Sequence, residues 1–328
     1  MTHMIATCRI CGYSGNAAAY TVREMMLGTG DAFIYFQCDQ CGCLQIAGFP
    51  QNLASYYPAD YYSFSSSSRE RTNNPAVQWF RRLRNRSSVL DTGIVSKLIR
   101  SLAPNSKLLP LSTLALSPHS RILDVGCGSG WRLYALREAG FVNTLGVDPY
   151  IREDIAYANG LRILKRSIQE VEGNWDVIMY HHSLEHIPDQ QQTLRESSRR
   201  LCPGGTCLIR VPIVSSYAWE HYREDWYQID APRHFYLHSP QSMRYLAEQC
   251  GLLIQSVVYD STLEQFRTSE QYRRKNRSEQ NAGFSRMQIR SWKRQAARLN
   301  RDSRGDQAIF FLRAATDRAL RYGPGTIP

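Results

Sequence analysis

The stretch Arg121-Ile122-Leu123-Asp124-Val125-Gly126-Cys127-Gly128-Ser129-Gly130 constrains the fold more than any other part of the chain. A short apolar run ends in an acid and passes into three glycines at alternate positions, the pattern of a buried strand handing over to a tight turn. Leu133, Leu136 and Ala139 then recur at the spacing of one helical face, and Gly140 marks the stop. Val142 to Val147 reads as a second strand that delivers Asp148. Strand, glycine loop, helix and acid-tipped strand make half of a mononucleotide-binding βαβ unit. Its loop lies against a ligand, and its second acid is placed for the two hydroxyls of a ribose.

The details narrow the ligand. Dinucleotide folds favour G-x-G-x-x-G, whose amides face an anionic pyrophosphate. Here the third glycine comes one position early and Asp124 stands two residues before the first, which suits a ligand carrying an ammonium and a sulfonium. The arrangement resembles the class I S-adenosylmethionine (SAM) dependent methyltransferases, whose first motif reads like Leu-Asp-Val-Gly-Cys-Gly-x-Gly. The order downstream agrees. A short strand, Leu161 to Leu164, precedes the apolar run Trp175 to Tyr180, then His181-His182-Ser183-Leu184-Glu185-His186, a helix to Arg200, and Leu201-Cys202-Pro203-Gly204-Gly205 before a strand, Thr206 to Val211.

The resemblance covers about Arg121 to Arg313. It implies an α/β fold with a Rossmann-like seven-stranded class I methyltransferase sheet, its last strand antiparallel between the fifth and sixth. It also implies a SAM site. Asp124, Gly126, Cys127, Gly128 and Gly130 would hold the methionine end, Asp148 the ribose, Ser167 and Ile168 the adenine, with His181 and His182 lining the cleft.

Four of the nine cysteines have a role by spacing. Cys8-x-x-Cys11 and Cys38-x-x-Cys41, each followed by a glycine (Gly12, Gly42), suit a closed structural zinc site of four thiolates. A small zinc-ribbon-like module is expected, with short strands around Thr21-Val22 and Phe33 to Phe36. No secretory signal or membrane-crossing run is evident, so a cytosolic protein with reduced thiols is expected. The net charge of +11 concentrates in Arg69 to Arg100 and Arg267 to Arg304. Such charge fits RNA, anionic lipid or a nucleotide-bearing small molecule, and does not choose among them.

The expected organisation is a zinc module over 1–50, an aromatic linker and basic helical region over 51–119, the methyltransferase domain over 120–315 and a tail over 316–328. Tyrosines between Tyr56 and Tyr62 are read as packing groups, with sugar or base stacking as the alternative. Residues 75–103 read as a basic amphipathic helical region, a lid helix over the active site or, alternatively, a helix lying on a membrane surface. Pro212 to His238 reads as an irregular acceptor-site insertion, and Ser239-Pro240 as a helix start. Arg267 to Arg286 is expected to be mobile, followed by a basic helix from Met287 to Leu299 and a final strand from Gly305.

Within that insertion, Asp230-Ala231-Pro232-Arg233-His234-Phe235-Tyr236 resembles a stretch of zinc-containing sugar C-methyltransferases and of surface-polysaccharide methyltransferases with the same cysteine knuckles. The resemblance places the catalytic base at His234, with Glu185 and His186 as further catalytic candidates. Arg233 stands where the C-methyltransferases have Glu, which favours O- or N-methylation and offers Arg233 as a clamp for a phosphate or carboxylate. His182-x-x-Glu185-His186 is also similar to the cation-holding Glu-x-x-Glu-His of some RNA 3′-end methyltransferases, although metal-free relatives carry Glu-His here too. The expected function is methyl transfer from SAM to a sugar hydroxyl or amine of a nucleotide-linked, lipid-linked or polymeric glycan, with tyrosines and tryptophans from Tyr217 to Tyr227 against the sugar. The rivals are an RNA methyltransferase that grips phosphates through the zinc module and basic segments, and a SAM-binding module without turnover.

Overall fold

The computed structural model describes residues 2–58, 74–90, 93–277 and 283–315. The tyrosines and serines from Tyr61 to Ser68 and the tail predicted from 316 lie outside the described residues. Strands β1 (Thr2–Thr7), β2 (Ser14–Arg23), β3 (Ala32–Gln37) and β4 (Leu44–Ile46) come first, then helices α1 (Pro75–Val89) and α2 (Ile94–Leu102). Next are β5 (Arg121–Val125), α3 (Trp131–Glu138), β6 (Asn143–Val147), β7 (Ile155–Ala156), β8 (Arg162–Leu164) and β9 (Trp175–His181). α4 (Gln190–Arg200), β10 (Leu201–Pro212), α5 (Tyr217–Tyr222), β11 (Tyr236–Leu237) and α6 (Pro240–Gln249) follow. β12 (Leu252–Tyr259), α7 (Glu264–Asn276), α8 (Arg286–Arg301) and β13 (Gln307–Ala314) complete the described elements.

The chain divides into two compact units. One comprises Ala59–His181 and Arg199–Cys207, the other Met1–Pro58, His182–Ser198 and Leu208–Pro328. In the former, β5 runs parallel to β6 on one side and to β9 on the other, β6 is parallel to β8, and β7 closes the edge antiparallel to β8. Ile122, Leu123, Val177, Ile178 and Met179 are all buried, which is why these strands read as unbroken apolar runs. Leu133 and Leu136 seat α3, as their spacing requires. The expected turn at Pro203-Gly204-Gly205 is taken up inside β10. Gly204 has φ +77°, and a Cβ on Gly205 would meet the carbonyl oxygens of Cys202 and Trp175 at 3.0 Å, so backbone conformation at one position and close contact at the other favour glycine.

In the other unit, the expected ribbon of short strands is an antiparallel sheet of five, in the order β1-β2-β3-β4-β11. Its last member comes from the segment read as an irregular insertion: Tyr236 pairs with Gln45 and Leu237 with Leu44. β13 is antiparallel to β12, as the family order implies. Ser239 caps α6, its hydroxyl accepting from the Ser242 amide at 3.0 Å, with Pro240 in the first turn. Of the segment expected to be mobile from Arg267 to Arg286, the part up to Asn276 belongs to helix α7, and residues 278–282 lie outside the described residues. Phe266, Gln265 and Ser269 are buried, and Glu264–Arg267 and Glu270–Arg273 pairs line its outer side.

Gly146 lies in β6 opposite Asp124. An added Cβ would come within 2.5 Å of Cys127 Sγ and within 2.9 Å of Leu133 Cδ1. We expect Gly146→Ala to destabilise the protein by about 1–3 kcal/mol in urea unfolding. An unshifted midpoint would show that the loop above β6 yields freely.

Candidate functional site: a glycine-loop cradle and a buried carboxylate–imidazole cluster

Gly126, Gly128 and Gly130 have φ of +69°, +54° and +72°, a left-handed path that glycine follows at little cost. The loop is closed onto the end of β6. The amides of Gly126 and Cys127 donate to the Val147 carbonyl at 2.8 and 3.3 Å, and the Gly128 amide donates to Asp148 Oδ2 at 2.8 Å. These donors are therefore spent internally, which argues against the phosphate cradle of a dinucleotide site. Asp148 Oδ1 accepts from the Tyr150 amide at 2.9 Å, so the carboxylate is held rigidly. Burial raises its pKa against the pull of these amides.

Asp124, only 2 % exposed, has Arg132 Nη1 at 3.8 Å from Oδ2, while its Oδ1 is buried with no hydrogen-bond partner. Burial, partly offset by Arg132 and reinforced by Asp148, pushes its pKa up to about 6. A buried acid with an open oxygen is a receptor for a cationic group. Of the other expected cofactor residues, Ser167 closes a capping box with Glu170 and Ile168 is buried beside it. His181 ends β9.

His182, Glu185, His186 and His234 come together in the other unit. Glu185 is fully buried on the short 3-10 turn after β9. His182, with φ +51°, faces Glu185 Oε1 through Nδ1 at 3.3 Å. Arg210 reaches His182 Nε2 and is itself held by Asp260, Nε to Oδ2 at 2.7 Å. A guanidinium only donates, so Nε2 of His182 accepts and its Nδ1–H points at Glu185. His234 Nδ1 lies 2.7 Å from the Gln228 carbonyl and must donate to it, and its Nε2 lies 3.9 Å from Glu185 Oε1. By the same logic His186 Nδ1 donates to the Arg233 carbonyl at 2.9 Å; the His186 and His234 rings meet edge-on at 4.6 Å.

Burial would raise the Glu185 pKa, but the bond from His182 and the neighbouring imidazoles outweigh it and hold the group at about 2. Burial, then the charge of His234, lowers His186 to about 4, and burial lowers His182 as well. At neutral pH the cluster thus holds one ionised carboxylate facing uncharged His182 and His186. Glu185 Oε2 is buried without a hydrogen-bond partner, and ligand atoms of Glu185, His186 and His234 lie within 4.8 Å of one another.

Two expectations are corrected. Arg233 does not wait for an anionic acceptor. It is fully buried, with Nη2 3.0 Å from Glu24 Oε1 and 2.5 Å from Asp230 Oδ1, and Nε 3.0 Å from Asp230 Oδ2. Trp219, Tyr222 and Trp226 do not offer a sugar-binding face either: all are buried, and Trp226 Nε1 donates to Asp306 at 3.1 Å. Sequence reasoning missed Glu24, Arg210 and Asp260, three charged residues far apart in the chain and outside any motif.

Cys8, Cys11, Cys38 and Cys41 converge, their sulfurs all within 4.8 Å of one another. Cys8–Cys41 and Cys11–Cys38 are each 3.6 Å apart. Gly12 and Gly42, at φ +77° and +72°, close the two knuckles by donating to the Cys8 and Cys38 carbonyls at 3.0 and 2.8 Å.

The mixed sheet and its glycine-loop cradle define a Rossmann-like methyltransferase fold. Residues 95–257 match the family model described as a methyltransferase domain. The trans-aconitate 2-methyltransferase of Deinococcus radiodurans is 26% identical over 106 residues, 31% of this chain and 41% of that protein. A ubiquinone biosynthesis O-methyltransferase of Methylococcus capsulatus is 32% identical over 102 residues, 27% of this chain and 42% of that protein. The chain thus spans less than half the length of these relatives. A SAM-dependent methyltransferase structure from Mesorhizobium loti superposes with a TM-score of 0.42 at 16% identity, over 64% of this chain and 98% of that one. The matched model supports a methyltransferase domain over residues 95–257.

The state of Asp124 gives a pH test. Its pKa rises from 3.8 unfolded to about 6 folded, so the fold favours the protonated acid. That contribution is complete below pH 3.8 and is lost as pH rises through about 6. Asp124→Asn should therefore stabilise the ligand-free protein by about 2–3 kcal/mol at pH 8 and by much less at pH 4. A pH-independent difference in denaturant unfolding would contradict the buried-acid assignment.

Proposed function

We propose that the protein transfers a methyl group from SAM to a sugar hydroxyl or amine of a nucleotide-linked, lipid-linked or polymeric glycan. The observation that carries the SAM reading is the open, buried Oδ1 of Asp124 beside a loop in which the amides of Gly126, Cys127, Gly128 and Gly130 are already spent. Asp124 would take the ammonium of the methionine end and Asp148, held by the Gly128 and Tyr150 amides, the ribose hydroxyls. SAM supplies an already activated methyl, so the protein's tasks are alignment, exclusion of water and removal of the acceptor's proton. For the last we assign His234. Its Nδ1 is committed to the Gln228 carbonyl, so Nε2 is the nitrogen that would receive the proton. Glu185, ionised at neutral pH, would stabilise the imidazolium that results. The glycan acceptor rests on the likeness of Asp230 to Tyr236 to sugar methyltransferases.

We expect His234→Ala to retain SAM affinity, measured calorimetrically, and to lose turnover by about 10²–10⁴-fold. Turnover is followed with methyl-labelled SAM in fractionated cell extract. Label in nucleotide-sugar, organic-soluble or polysaccharide pools supports the reading, and RNase-sensitive label replaces it with an RNA acceptor. Undiminished turnover would remove His234 from the reaction.

The four cysteines would hold a structural zinc ion. Zn–S bonds of about 2.3 Å place tetrahedral sulfurs about 3.8 Å apart, close to the 3.6 Å pairs observed. Gln45 Nε2 and the Ile10 amide donate to Cys8 Sγ at 3.1 and 3.4 Å, favouring a thiolate. The purified protein should carry about one zinc per chain by elemental analysis. Cys38→Ser should lose it together with more than about 3 kcal/mol of stability. A metal-free protein of unchanged stability would leave the cysteines as packing groups.

A further inference from the structure

Helix α2 is built inside out. Its buried residue is Ser96, 2 % exposed, with Oγ 3.2 Å from the Ser87 hydroxyl of α1. α1 turns Asn85, Ser87 and Ser88 inward beside Val89, and the Asn105 side chain donates to Asn85 Oδ1 at 2.9 Å. Ile94, Leu98 and Leu102, four apart and therefore on one stripe, are 87 %, 57 % and 76 % exposed. Ser96 is two residues from Ile94 and Leu98, on the opposite side of the helix. Trp79 and Phe80 of α1 are exposed as well. A helix in water normally buries its apolar stripe and leaves serines outside. Helix α2 does the reverse.

The charge around the stripe indicates what covers it. Residues 74–120 hold seven Lys and Arg against one acid, Asp91. Arg81 pairs with Glu138, which leaves the segment strongly positive. An apolar stripe with an exposed Trp, set among cations, matches the boundary between acyl chains and anionic headgroups. Among the described residues no helix is long and apolar enough to cross a membrane, so the helices would lie along the surface. We propose that the α1–α2 pair docks the protein onto a lipid surface carrying anionic headgroups. This inference does not depend on the acceptor or on turnover.

The test is co-sedimentation of the full chain, without SAM, with vesicles of equal parts phosphatidylcholine and phosphatidylglycerol, against phosphatidylcholine alone. The protein should pellet with the anionic vesicles, and less so as salt is raised. Ile94→Ser with Leu98→Ser and Leu102→Ser should lower the partition coefficient at least about tenfold, since each exposed side chain loses its insertion energy. Circular dichroism should be unchanged. Should that variant misfold, Trp79→Gln with Phe80→Gln serves in its place, because both rings are exposed. Absence of binding to anionic vesicles overturns the proposal. So does binding that the apolar substitutions leave intact and single-stranded RNA displaces, which would make the surface a phosphate-binding patch.

Discussion

The buried guanidinium of Arg233 is the interaction on which the candidate acid–base cluster depends. It is fully excluded from water and held by two carboxylates, Glu24 and Asp230. Glu24 in turn gathers the amides of Leu27, Gly28 and Thr29 at 2.8–3.1 Å, which shapes the loop between β2 and β3. Asp230 and the Arg233 carbonyl lie against His234 and His186. A buried ion pair of this kind need not add net stability, because desolvation consumes much of the attraction. Breaking it leaves a charge stranded. Its worth lies in admitting a single arrangement of the histidine-bearing loop.

The two candidate sites use buried acids in opposite ways. Glu185 is ionised at neutral pH because hydrogen bonds and neighbouring imidazoles overcome desolvation. Asp124 lacks enough compensation, and its carboxyl is pushed toward neutrality. One acid is satisfied by the protein itself. The other is left for something that arrives, and a cation would lower its pKa again.

The parts of the fold legible in the sequence are those written in local periodicity. β5, β9 and the glycine loop follow from apolar runs and glycine spacing, and α6 from Ser239-Pro240. The cysteine knuckles were equally plain from spacing alone. α7 was missed because its stability comes from Phe266 and flanking ion pairs, with no apolar stripe to read. β11 is two residues long, and nothing in Tyr236-Leu237 announces a partner near Gln45. Arg233 stands in a stretch whose sequence points to an external anion. One of its two partners, Glu24, lies 209 positions away, and sequence without covariation cannot see such a pairing.

That separation has a consequence for assembly. Each cysteine knuckle closes over a few residues, and β1 to β3 pair with near neighbours, so these parts form with little loss of chain entropy. The base-bearing loop is different. Its anchors to the same sheet, β11 on β4 and the Tyr35 hydroxyl on the His234 carbonyl at 2.8 Å, span a sequence separation of 199 residues in the latter case. Such contacts repay their loop-closure cost only once most of the chain is collapsed. On a ribosome the N-terminal sheet therefore emerges with an open edge at β4, and the strand that completes it is synthesised only after the whole glycine-loop half of the protein.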